Sequence, residues 1–347
     1  MSDKKKKNKI LYLSFNKDRN CLSLGMQTGY RIYDLTKRDS FFFYERIFGK
    51  GIGIIEMLEK TNILGLVGGG EEPLDMKSKL IIFDDKEGKN IAYLIFKSDV
   101  LNLRLKRDKI LVICKDFIYL VDTLNFKSID TISLNIENTK SVSFAFTLEP
   151  EVNKLAYNDT NEKKNKIIIN TYEEQSKKNS IELKTNYKNN NVISCMEFDK
   201  EGKVIAVTAK NLEYLIVYRT GDGIPLCKCN IDNQSVNCLY ISFEGNNDFL
   251  CVSLDSGEVN IFNLKKAKNS LNNGLVQNKK DMKEEIWSKL YLPEKKVICT
   301  FTGEEIGKEH IICIGTKGNY YLAKFDRNQS GNLAQKIEEK FFLKFDK

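Results

Sequence analysis

Few residues in this 347-residue chain have chemistry to offer, and their spacing narrows what they could do. His310, the single histidine, stands in GKEHIICIG with no nucleophile or metal ligand at motif spacing. Cys227-Lys228-Cys229 brings two thiols together, but structural zinc needs a second ligand pair and none follows, so no metal is expected. The Gly68-Gly69-Gly70 run lacks the Lys-Ser/Thr and the helix start of a phosphate loop. No nucleophile–base pair or matched carboxylates can be assembled, so neither an enzyme nor a cofactor is expected. What remains is cationic. The lysines of residues 4–7 read as a frayed tail. Residues 265–290 hold Lys265, Lys266, Lys268, Lys279, Lys280, Lys283 and Lys289 against three acids, a net of +4.

That lysine-rich stretch admits two readings. Met282, Ile286 and Leu290 fall at i, i+4, i+8 with Trp287 alongside, which suits an amphipathic helix lying in a membrane interface. Alternatively, Trp287 and Leu290 begin a strand that continues into Tyr291 and pack on the body of the protein.

The whole chain carries a formal charge of +8 from 55 basic and 47 acidic residues. The lysines are scattered, and no stacking platform or helix-turn-helix pattern accompanies them, so no nucleic-acid partner is expected. Hydrophobic content of 41% with 29% charged residues is that of a folded protein. The nine cysteines lie mostly in apolar runs, where a free thiol acts as a small hydrophobe, and this suits a reducing, cytoplasmic setting. The basic start MSDKKKKNK has no apolar signal core behind it, and no run approaches about 18 apolar residues. Any membrane contact is expected to be peripheral.

The elements that position these residues are strands. Residues 193–264 contain two copies of one pattern, an apolar strand, a polar turn and two further strands, with Phe198 and Phe243 at equivalent points about 45 residues apart, the period of a propeller blade. Extended along the chain, short alternating strands bounded by Gly, Asn and Asp turns predict an all-β fold: a seven-bladed β-propeller of four-stranded antiparallel blades. The blades are expected near 9–48, 51–96, 97–135, 136–187, 190–230, 235–301 and 297–345, in a single domain and a monomer. Residues 265–290 interrupt the sixth as a connection too long for a hairpin.

GYRIYDL at 29–35, GIGIIEML at 51–58, LVGGGEEPL at 66–74 and YLPEKKVICTF at 291–301 resemble the PROPPIN family, and the similarity runs over essentially the whole chain. The resemblance implies a seven-bladed propeller that binds phosphatidylinositol 3-phosphate and 3,5-bisphosphate, acts in autophagy and endolysosomal traffic, and sits peripherally on those membranes. It also implies a Phe/Leu-Arg-Arg-Gly motif between blades five and six, with one arginine forking onto phosphate in each of two pockets. Here that motif falls on Cys229, Asn230, Ile231 and Asp232, and Arg219 is the only arginine between 193 and 264. In blade five the family's Ser, Thr and Arg fall on Ala209, Glu213 and Ile216. In blade six its Ser, Lys, Thr and His fall on Leu254, Ser256, Glu258 and Asn260. Each pocket exchanges its arginine for a glutamate, which repels phosphate.

Three functions follow as expectations. The first is a propeller adaptor of the autophagy machinery acting through protein partners, with both lipid pockets degraded. The family binds its lipid-transfer and conjugation partners through blades two and three, which points here to Gly68, Gly69, Gly70, Glu71, Glu72 and Asp75. The second keeps the phosphoinositide, held by Lys210, Lys228 and the 265–290 loop in a salt-dependent way. The third is a generic WD-type scaffold.

Overall fold

The computed structural model describes residues 9–36, 43–135, 142–159, 166–173, 178–184, 192–210, 214–231, 236–272, 283–302, 308–331 and 334–341. Seven sheets follow one another along the chain, each built on an antiparallel meander of four strands. The first strands are Ile10–Phe15, Ile52–Met57, Val100–Leu105, Phe144–Phe146, Ile193–Phe198, Cys238–Phe243 and Val297–Phe301. Most neighbouring first strands touch one another, so they line the axis, and the fourth strands form the rim. The result is a seven-bladed β-propeller.

Local sequence explains the blades. The second and third strands, such as Val204–Ala209 (VIAVTA) and Tyr214–Arg219 (YLIVYR), are apolar on both faces because both are covered by neighbouring blades. Rim strands alternate: Lys89–Ile95 and Gln335–Phe341 expose every other residue. The turn after the first strand is set by the polar residue that follows its terminal phenylalanine. Asn16 Oδ1 accepts from the Cys21 amide at 2.9 Å, Thr147 Oγ1 from Lys154 at 2.9 Å, and Asp199 Oδ1 from Val204 at 2.8 Å.

Seven buried apolar clusters fill the seven spaces between adjacent blades. Burying one Leu or Ile contributes about 1.5–3 kcal/mol, so these interfaces hold the ring together. The ring closes where Phe15, Leu22 and Leu24 of blade one meet Ile312, Ile314 and Leu322 of blade seven. No strand is shared between the two, since blade seven takes all four strands from 297–341. Blade six closes at Tyr291, short of the expected 301, because Val297–Phe301 pairs with His310–Gly315 and opens blade seven.

The long connection of blade six contains the helix Lys265–Asn272 and the two-residue strand Lys283–Glu284. The latter adds to blade five as a fifth, parallel strand. Among the described residues no helix is long and apolar enough to cross a membrane.

Candidate functional site

Blade five places Ala209 at the end of its second strand and Ile216 in its third, both buried. Ile216 pairs with Lys228 in the rim strand Pro225–Asn230. Cys229 and Ile231 belong to the core between blades five and six. These side chains pack and offer no hydrogen bonds to a ligand. Glu213 and Asp232 lie outside the described residues. Two cations stand nearby. Lys210 is exposed just beyond Ala209, and the Lys228 ammonium sits 3.7 Å from the centre of the Tyr214 ring, a cation–π contact.

The rim of this blade is covered by the chain itself. Lys283 stands opposite Lys228 and Glu284 opposite Cys229, while Asn230 Nδ2 donates to Glu285 Oε1 at 3.0 Å. Glu284 is buried, and its Oε1 has no hydrogen-bond partner. Burial pushes its carboxyl above the usual range, with Lys266 opposing. An amide and two carboxylates thus occupy the neighbourhood where a phosphate-binding fork is expected. Nothing local in the sequence signals this contact, because it joins strands from two blades.

Blade six repeats the exchange. Leu254 is buried at the end of its second strand, Phe249–Leu254. Ser256, in an exposed turn, accepts a hydrogen bond from the Glu258 amide at 3.3 Å. Glu258 and Asn260 are both buried in the third strand, Glu258–Asn263. The rim strand Ile286–Tyr291 brings Lys289 opposite Asn260 and its ammonium to 3.8 Å from Glu258. The carboxylate thereby engages a lysine of its own sheet. The Asn260 amide has neither its oxygen nor its nitrogen hydrogen-bonded, in a residue with no exposed surface.

The lysine-rich connection is partly tied down. Lys268 donates to the Asn246 carbonyl at 2.6 Å and to Asp248 at 2.7 Å, which docks the helix on a turn of blade six. Lys265 lies 5.7 Å from the centre of the Phe249 ring. Lys265, Lys266 and Lys283 line a cleft of 550 Å³ with Glu284, Glu285 and Trp287. At Ile286 and Leu290 the expected helical face is not what the chain forms. Ile286 and Leu290 pair with Phe262 and Val259 as strand residues, because the alternation of Ser288 and Leu290 toward the core matches a sheet. Trp287 packs edge-on against Phe249 at 5.9 Å and donates Nε1–H to the Asp326 carbonyl at 2.7 Å. Lys279, Lys280 and Met282 lie outside the described residues, as do residues 4–7.

On blade two, Gly68 ends the second strand, Ile63–Gly68. A Cβ on Gly69 would stand 2.3 Å from Gly53 Cα, and one on Gly68 2.0 Å from the Asp75 carbonyl oxygen. These two glycines let backbones touch, which leaves recognition to the acids beyond them. Glu71 and Glu72 are exposed, and Glu72 pairs with Lys50 at 3.1 Å. A hydrogen bond from Lys79, 2.8 Å away, holds the Asp75 carboxyl below its usual range. Sequence reasoning missed the apolar row beside this loop. The rim strand Lys89–Ile95 exposes Ile91, Tyr93 and Ile95, with Met76 and Leu101 also exposed. Ile95 pairs with Lys79, which places the row against the acidic loop.

Cys227 and Cys229 are buried with sulfurs 4.0 Å apart, and His310 is buried. Among the described residues no group of three His, Cys, Asp or Glu side chains could hold a metal ion.

A family model described as PROPPIN matches residues 10–300. Autophagy-related protein 18 of Candida glabrata is 24% identical over 321 residues, covering 74% of this chain and 63% of that protein. The chain therefore spans less than two thirds of this relative, and half of the Scheffersomyces stipitis protein of the same name. Among solved structures, Kluyveromyces lactis Hsv2 superposes with a TM-score of 0.78 at 17% identity, covering 96% of this chain and 99% of that one. KlAtg21, solved in complex with the coiled-coil of AgAtg16, superposes with a TM-score of 0.77 at 18% identity, covering 96% and 99%.

Proposed function

The chain belongs to the PROPPIN family, and from that premise we propose that it is an autophagy-related propeller adaptor acting through protein partners, its two family phosphoinositide pockets degraded. It catalyses no reaction and works as a monomer in the cytoplasm, recruited to endolysosomal or autophagic membranes through its partners. The observation that carries this reading is the apolar row of Ile91, Tyr93 and Ile95 on the open rim of blade two, beside the acidic loop that bears Glu71, Glu72 and Asp75. An unpaired sheet edge with an apolar stripe is a docking surface for a partner segment. The binding of a coiled-coil by KlAtg21 supports a partner of that kind.

The loss of lipid binding rests on the pockets. Neither holds an arginine, Glu258 faces Lys289, and Glu284 and Glu285 cover the rim of blade five. A carboxylate beside a phosphate repels it, and a lysine already matched to that carboxylate adds little.

One observation favours a second reading. The parallel pairing sets Lys283 directly against Lys228, two ammonium groups on one rim, with Lys266 near. Such a group would hold an anionic headgroup by charge alone, weakly selective and screened by salt. Liposome flotation with and without phosphatidylinositol 3-phosphate, at low and high salt, separates the two. No flotation at either salt supports the adaptor. Flotation lost at high salt supports the lysine reading, and salt-resistant, lipid-specific flotation overturns both.

A further inference from the structure

The axial strands end on Phe15, Met57, Leu105, Phe146, Phe198, Phe243 and Phe301, and the residue before each end is polar in six blades: Ser14, Glu56, Arg104, Glu197, Ser242 and Thr300. Five of these six are matched. Ser14 donates to Glu56 Oε2 at 2.7 Å, Arg104 lies 3.7 Å from the same oxygen, and Ser242 and Thr300 share a hydrogen bond at 3.1 Å. Glu197 is the exception. Among the described residues no hydrogen bond or ion pair engages its carboxylate, and Arg19 and Arg104 act on it only at longer range.

Glu197 lines a cavity of 220 Å³ at the axial mouth, on the face formed by the turns after the first strands. Leu148 lines the same cavity together with Phe146, Phe198, Phe243 and Phe301, which are themselves buried in the clusters between blades. Of the three basic residues at its rim, Lys17 and Lys200 pair with Glu149, and Arg19 keeps its charge near Glu197. Lys17 lies 3.0 Å from Glu149, Lys200 3.7 Å from the same carboxylate, and Arg19 donates to the Phe243 carbonyl. What is left is a carboxylate with no hydrogen bond or ion pair among the described residues, in a cup lined by Leu148, Thr147, Thr302 and further charged side chains.

We infer that this axial cup is a binding site for one basic side chain presented by a partner polypeptide, its aliphatic stem along Leu148 and its cationic head against Glu197. The chemistry selects the occupant. Asp18, Glu149, Glu197, Asp199 and Glu244 line the cavity against Lys17, Arg19 and Lys200, so the balance disfavours an anion. A metal ion lacks the ligand set, since among the described residues no group of three His, Cys, Asp or Glu side chains could hold one. An arginine or lysine side chain has both an apolar stem and a charged tip, and a guanidinium fork matches a carboxylate. Burial pushes the Glu197 carboxyl up to about 7. A bound cation favours the ionised form, so binding releases protons near neutrality and strengthens as pH rises through that range.

The test titrates the full chain with the capped tripeptide Gly-Arg-Gly and with its neutral isostere Gly-citrulline-Gly, by calorimetry at pH 6 and pH 8. The wild type, Glu197→Gln and the cup-filling Leu148→Trp are compared. Saturable arginine binding is expected, tighter at pH 8, absent for citrulline and weaker by about tenfold or more in Glu197→Gln. If Glu197→Gln fails to fold, the same loss in Leu148→Trp decides. Equal binding of citrulline, arginine binding retained in the folded variant, or no saturation below about 10 mM overturns the inference.

Discussion

The Lys289 ammonium lies 3.8 Å from the Glu258 carboxylate, across the third and rim strands of blade six. The pair is partly buried, so it is screened less than a surface ion pair. It occupies the position where the family resemblance asks for a neutral hydroxyl beside an anionic headgroup.

Releasing that lysine should expose its charge. Glu258→Gln is expected to raise flotation with anionic vesicles several-fold at low salt, with the gain lost as salt is added. Flotation unchanged at low salt would show that Lys289 does not reach a bilayer.

The second family arginine cannot simply be restored. Ile231 is buried in the core between blades five and six, so Ile231→Arg places a charge among apolar side chains. A loss of several kcal/mol is expected, read as a lower Cm in urea unfolding. Asn230→Arg, on the half-buried rim beside Glu285, should be tolerated and pair with that carboxylate.

The proposed partner surface should separate binding from folding. Ile91→Asp with Ile95→Asp changes two exposed side chains, so stability is expected to stay within about 0.5 kcal/mol per site. Partner capture in a pull-down should fall to background. Capture that persists places the partner elsewhere on the propeller.

The glycines of blade two should behave unlike a glycine in open space. Gly69→Ala drives a methyl into Gly53 and is expected to cost about 1–3 kcal/mol. Gly245→Ala meets nothing within 4 Å and should leave the melting temperature nearly unchanged. Equal melting temperatures for the two variants would contradict the close backbone approach.

Stability should carry an acidic signature from the axis. Burial raises the Glu197 carboxyl from 4.5 to about 7 in the folded chain. The folded state therefore binds more protons between those values, and the contribution, complete below 4.5, is lost as pH rises through about 7. Thermal melts should show stability falling over this window in the wild type and falling less in Glu197→Gln.

Much of this was legible in the chain. A pattern of period two inside a repeat of about 45 residues is local, and it determined strands, blades and their number. The order of residues alone determined that no arginine stands at 230 or 231, where the chain has Asn230 and Ile231. The reading of 278–290 as one helical face failed at Ile286 and Leu290, because spacing cannot tell a short amphipathic helix from a strand until its partner strand is known. Tertiary structure alone decided which charges meet. Glu258 finds Lys289, Glu284 settles on the rim of blade five, and Glu197 stays unmatched while Glu56 has Ser14 and Arg104. Periodicity sets which face a side chain takes, but closure of the ring sets what stands opposite, through contacts between residues distant in the chain.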